Sequence, residues 1–233
     1  MPIPLVVTAL PAPGGASRLS VLGFVAHRLR RTPITLVGPV LITAVWATLR
    51  MLPPLEAREL LLAVSTNLHH LMTNPVLTLA GSSVTLAEPV DIGELLVFLL
   101  ILAPTERLAG PRRTGALFVA GHVVGTCASE FGVMLLHHLG ILAHAAWNRI
   151  DVGPSYGEMA VLAGLCFLLP SGWRRRAGTA VAAAPAVVTC VIFRNMATTG
   201  HVIAFLLGAA LAPSLFREVR AGLYRSRAAI VSR

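Results

Sequence analysis

The chain contains no lysine, and all 19 of its basic residues are arginine. Charge of any kind is scarce: 12% of the 233 residues, against roughly a quarter in ordinary soluble domains. That scarcity excludes a hydrated globular surface. With 55% hydrophobic residues and a mean hydropathy of +0.76, it points to a helical membrane protein lying in a lipid bilayer. Cysteine is equally sparse. Cys127, Cys166 and Cys190 all fall inside apolar runs, and an odd number without a Cys-x-x-Cys pair excludes a disulfide framework or a zinc site. No His-Glu-x-x-His is present, so His69/His70, His137/His138 and His144 build no recognisable metal site, and no cofactor is implied. The net charge of +9 forms no basic face interleaved with aromatics, which excludes a nucleic-acid partner. The apolar amino terminus lacks a basic leader and is followed by Pro and Gly, so no signal peptide is expected. Arginine without lysine, beside abundant Ala and Pro, reads as the imprint of a GC-rich genome.

What the chain does have is a series of apolar runs near the ~20 residues that cross a bilayer. Six are expected, over residues 34–49, 90–104, 114–136, 152–170, 177–193 and 196–216. The second is the weakest, with Asp91 and Glu94 in its first turns. Arginine clusters fall in alternate connections: Arg28/Arg30/Arg31, Arg107/Arg112/Arg113, Arg174/Arg175/Arg176 and Arg217/Arg220/Arg225/Arg227. The positive-inside rule puts these on the cytoplasmic side, and only an even span count satisfies every cluster. The expectation is an all-α, six-transmembrane-helix bundle with both termini cytoplasmic.

Residues 1–32 form a cytoplasmic segment, 33–216 one membrane domain, and 217–233 a basic cytoplasmic tail. Residues 55–88 are apolar but hold Asn67, His69, His70 and Asn74. Inserting them would move every later arginine cluster to the wrong side, so they read as an outer loop with one or two interfacial helices.

In this topology the fourth and sixth spans enter from the same, outer side. Ser155 then lies in the first turn of one and His201 in the first turn of the other, at matching depth a few Å below the surface. An imidazole beside a hydroxyl is the arrangement that activates a serine nucleophile. Close approach of the two helices is provided for by Gly200, Ala204, Gly208 and Ala212 on one and Gly157, Ala160 and Gly164 on the other, since small residues let helices pack tightly in lipid.

These features resemble the rhomboid family of intramembrane serine proteases. There a Gly-x-Ser motif opens the fourth of six helices and a His-x-x-small-x-x-x-small motif runs into the sixth. The counterparts are Gly153-Pro154-Ser155 and Gly200-His201-x-x-Ala204-x-x-x-Gly208. Glu106-Arg107-Leu108-Ala109-Gly110 resembles the family's acidic, basic and glycine signature after its second helix. The likeness covers about residues 34–216 and is closest to divergent actinobacterial members.

The resemblance implies peptide-bond hydrolysis near the outer membrane face, with Ser155 as nucleophile and His201 as base. It further implies single-span membrane proteins as substrates and a multi-pass location in a bacterial plasma membrane. Oxyanion donors would come from the Ser155 backbone N–H with His70, Asn74 or Asn148. The chain departs from the family where Tyr156 stands in place of a glycine after the serine, and where His70-x-x-x-Asn74 lies farther from Glu106 than the family's His-x-x-x-Asn.

Other readings stand beside this one. Ser155-x-x-Glu158 is a capping box, which by itself accounts for a serine at a helix start. His201 could bond a neighbouring carbonyl. His122, which enters its span from the cytoplasmic side, reads as structural and at the wrong depth to meet Ser155. Glu130, near the outer end of the third span, would orient a histidine or reach the interface. The alternative function is a catalytically inactive rhomboid-like protein that binds transmembrane helices. A small transporter would need ionisable groups along a midplane path, and only His122 approaches that.

Overall fold

The computed structural model describes residues 31–86, 92–141, 150–193 and 195–231, and all regular structure among them is helical. The order is α1 (Pro33–Met51), α2 (Pro54–Val64), α3 (Leu68–Thr73), α4 (Pro75–Ser82), α5 (Ile92–Ala109), α6 (Pro111–His138), α7 (Ser155–Leu168), α8 (Trp173–Phe193) and α9 (Met196–Val231). Proline opens α1, α2, α4 and α6, where its missing N–H costs nothing.

Four helices are long and apolar enough to cross a bilayer: α1, α6, α8 and residues 197–225 of α9. Helix α5 has 18 residues but carries Glu94, Glu106 and Arg107. Helix α7 is apolar with only 14 residues, about 21 Å at 1.5 Å per residue, against a hydrocarbon core of about 30 Å.

Several boundaries differ from the expected ones. Residues 55–86 fold into three short helices rather than one or two. Helix α5 continues beyond Pro104 to Ala109, because a proline within the chain removes one helical bond without ending the helix when the flanking turns pack. Helix α8 starts at Trp173, which brings Arg174, Arg175 and Arg176 into its first turn. Helix α9 runs on through Arg217, Arg220 and Arg225, past the expected end of the sixth span at residue 216.

Helix α7 is central, packed against α5, α6, α8 and α9. Leu102, Leu117, Ala160, Val161, Ala212 and Phe216 are fully buried around it. Helix α1 is fastened to α5 by the buried Glu106, whose carboxylate accepts from Ile34 N (2.9 Å), Thr35 N (2.9 Å) and Thr35 Oγ1 (2.6 Å). The carboxylate satisfies the free amides of the first turn of α1 and complements its dipole, while Gly110 at φ 83° turns the chain directly into α6.

Three arginine clusters meet at one end of the bundle. Arg113 pairs with Glu218 at 3.2 Å. Tyr224 donates to Leu168 O at 2.9 Å. The guanidinium groups of Arg175 and Arg220 lie 5.8 and 5.3 Å from the Phe167 ring.

Candidate functional site

The turn into α7 is held from outside the helix. Thr66 N and Oγ1 both donate to Asp151 O at 2.8 Å, and Asp151 N donates to Ser65 Oγ at 2.8 Å. Gly153 N donates to Ser82 O at 2.9 Å. Gly153 adopts φ 143°, a conformation that a side chain would strain, and Pro154 follows as the N-cap of α7. Across the bundle, the Asn195 side chain accepts from Thr198 N at 2.9 Å and caps α9, fixing where His201 emerges in the second turn.

These two helix starts bring Ser155 Oγ to 2.8 Å from His201 Nε2, within the reach of a base and its nucleophile. Both residues are half-buried. The His201 ring also lies 4.9 Å from the Tyr156 ring, tilted by 54°. Tyr156 OH reaches Asp151 Oδ2 at 3.5 Å. Gly200 makes room for Tyr156: a Cβ there would stand 2.8 Å from the phenol ring.

The capping-box expectation is corrected by this geometry. Ser155 is the first residue of α7 rather than its cap, Glu158 N donates to Pro154 O at 3.1 Å, and the serine hydroxyl turns to His201. Glu158 itself is buried inside the bundle.

Tyr156 packs on Gly125, midway along α6, and α6 continues from there to His138, about 20 Å of helix beyond the level of the serine.

His122 is consequently level with the pair, not below it: its ring is 6.5 Å from Tyr156. Its Nε2 donates to Leu79 O at 3.0 Å and stands 3.1 Å from Ser82 Oγ, with Phe118 stacked on the ring. Because the carbonyl of the same Ser82 holds Gly153, a line of bonds runs from α6 through α4 to the turn before Ser155. Ser82, Thr66 and Tyr156 carry no sequence signal for this, since the bonds use backbone groups or join residues far apart in the chain.

The remaining candidates fall elsewhere. His70 N donates to Asn67 Oδ1 at 2.9 Å, and the His70 ring stands 3.0 Å from Asn67 Nδ2. Burial first and neighbouring His69 second push the His70 pKa below its ordinary value, which suits Nδ1 as an acceptor. The exposed Asn74 joins α3 to α4 through its backbone. Neither shares a hydrogen bond with Ser155 or His201 among the described residues. Asn148 and His144 lie outside the described residues. Glu130 is fully buried on α6 rather than reaching toward an interface. Among the described residues no group of His, Cys, Asp or Glu is placed to hold a metal.

Helix contact uses the small residues. A Cβ on Gly208 would collide with the Ala160 backbone, and one on Gly121 with Ala160 from the opposite side. Ala204 is fully buried near Gly125. Gly157 faces Phe118, and Gly164 faces Leu117 and Phe216. Helix α7 is thus gripped between α6 and α9, rather than presenting one small-residue face to α9.

A family model described as rhomboid-like protein matches residues 27–221. No curated protein and no solved structure matches the chain.

Proposed function

The chain belongs to the rhomboid-like family, and from that premise we propose that it is an intramembrane serine endopeptidase acting through a Ser155–His201 dyad. The observation that carries this reading is the 2.8 Å contact between Ser155 Oγ and His201 Nε2. It joins two helix starts that nothing in the local sequence obliges to meet. His201 takes the hydroxyl proton as Oγ attacks the scissile carbonyl, then returns it to the leaving amine. Water cleaves the resulting ester by the same proton path in reverse.

Ser155 opens α7, so its own N–H sits at the helix end where amides lack intrahelical acceptors, and it is the natural first oxyanion donor. His70 and Asn74, the side-chain donors first considered, are occupied or exposed elsewhere.

The protein is a multi-pass membrane protein. We place α5 and α7 among six spans, with both termini on the cytoplasmic side of a bacterial plasma membrane. The gathering of arginine clusters at one end of the bundle supports that orientation. Substrates are then single-span proteins whose helices unwind near the outer face.

A second reading, an inactive homologue that binds transmembrane helices, draws on Tyr156 following the serine and on His70 and Asn74 sharing no hydrogen bond with Ser155 or His201 among the described residues. Labelling of the detergent-purified protein by a fluorophosphonate separates the two. The dyad predicts labelling that is lost in both Ser155→Ala and His201→Ala. A folded wild-type protein that does not label refutes the peptidase and leaves the helix-binding reading.

A further inference from the structure

We propose that the groove between α8 and α9 binds one anionic phospholipid, its acyl chain along the groove and its phosphate on Arg175 and Arg176. The groove is about 480 Å³ in volume; Ala183, Val187, Phe205 and Leu206 contribute to its apolar walls, and Arg175 and Arg176 lie at one end. From Arg176 to Val187 along α8 is about 16 Å at 1.5 Å per residue. One leaflet of the hydrocarbon core is about 15 Å, half of about 30 Å. An acyl chain lying in the groove therefore ends where the guanidinium groups begin.

Charge selects the headgroup. Arg175 and Arg220 approach the same Phe167 ring, and Arg174 and Arg176 flank Arg175 in the first turn of α8, where the helix dipole disfavours cations. The ion pair among the described residues, Arg113 with Glu218, engages none of them. A phosphate diester at this end neutralises arginines that no ion pair among the described residues engages. The lining reaches Val202, next to His201, but the proposal holds whether or not the dyad hydrolyses peptides.

The test is native mass spectrometry of the detergent-purified full chain, titrated with phosphatidylglycerol or with phosphatidylcholine of the same acyl composition. One phosphatidylglycerol per protein is expected to remain bound, with phosphatidylcholine retained far less. Arg175→Gln/Arg176→Gln should weaken retention roughly 30-fold, from two near-surface charges. Ala183→Phe fills the groove with the arginines intact and should abolish retention. Thermal unfolding in lipid-free micelles checks that each variant is folded, and either variant alone decides the matter if the other is not. Equal retention of both lipids overturns the proposal, as does undiminished phosphatidylglycerol binding in a folded variant. Retention of a single-span peptide by the wild type in preference to the lipid, lost in Ala183→Phe, also overturns it by showing that a helix is the occupant.

Discussion

Replacing Gly208 with alanine tests whether helix packing sets the catalytic distance. The added Cβ would stand 2.6 Å from Ala160 Cα and 2.8 Å from Ala160 C, whereas non-bonded carbons rest at about 3.5–4.0 Å. The obstruction is backbone, so no side-chain rotation relieves it, and α7 and α9 must part by about 1 Å. Ser155 rides on α7 and His201 on α9. The same displacement stretches their 2.8 Å contact to about 3.8 Å, beyond hydrogen-bonding range. Overpacking of this kind costs about 1–3 kcal/mol of stability, and a misplacement near 1 Å costs about 100-fold in rate. Fluorophosphonate labelling rate and thermal unfolding, measured in one detergent, read the two effects separately. Gly222→Ala is the control: its Cβ meets nothing within 4 Å, so it should leave labelling unchanged and gain about 0.5–1 kcal/mol in helix stability. Wild-type labelling by a Gly208→Ala protein that unfolds at the wild-type temperature would refute the coupling of packing to the dyad. An unlabelled wild type would instead refute the dyad itself.

Other substitutions probe the supports of the site. Glu106→Ala strands the first amides of α1 and should lower stability by at least about 2 kcal/mol, the worth of one charge-assisted bond; Glu106→Gln, which keeps an acceptor, should cost less in the same unfolding assay. His122→Ala removes the donor to Leu79 O and should slow labelling well beyond Ser82→Ala, which keeps the carbonyl on Gly153 and should cost about 1 kcal/mol; equal effects would break the proposed line of bonds. Gly110→Ala meets no atom within 4 Å, so any loss in unfolding free energy reports backbone strain alone, expected at about 1–3 kcal/mol.

The parts of this molecule legible in its sequence are those set by partition between water and lipid. Apolar run length marks α1, α6, α8 and α9, because a helix is the economical way to satisfy backbone groups in hydrocarbon. Ser155 and His201 were also legible, since Gly153-Pro154 leads into the one and Gly200 into the other at the start of an apolar run. That both helix starts lie at the same end of the bundle followed from counting arginine clusters. Helix α7 is ended at Leu169 and Pro170 by the chain turning rather than by a change in polarity.

What stayed hidden was whatever depends on backbone groups from distant segments. Ser155-x-x-Glu158 satisfies the capping-box pattern, yet the pattern knows nothing of the loop behind it. That loop is pinned by Thr66 on Asp151 and by Ser82 on Gly153. With its path fixed, Pro154 occupies the cap position, and the serine hydroxyl is released from local duty. The same pins explain why the polar stretch around Asn67 and His70 is folded rather than loose. Asn67 is fully buried and bonds His70, so these residues stabilise the segment that in turn shapes the turn into α7. A histidine and asparagine at suggestive spacing thus serve the site through the scaffold they hold, and the reactive distance between Ser155 and His201 is set by glycine contacts and loop bonds that no local motif encodes.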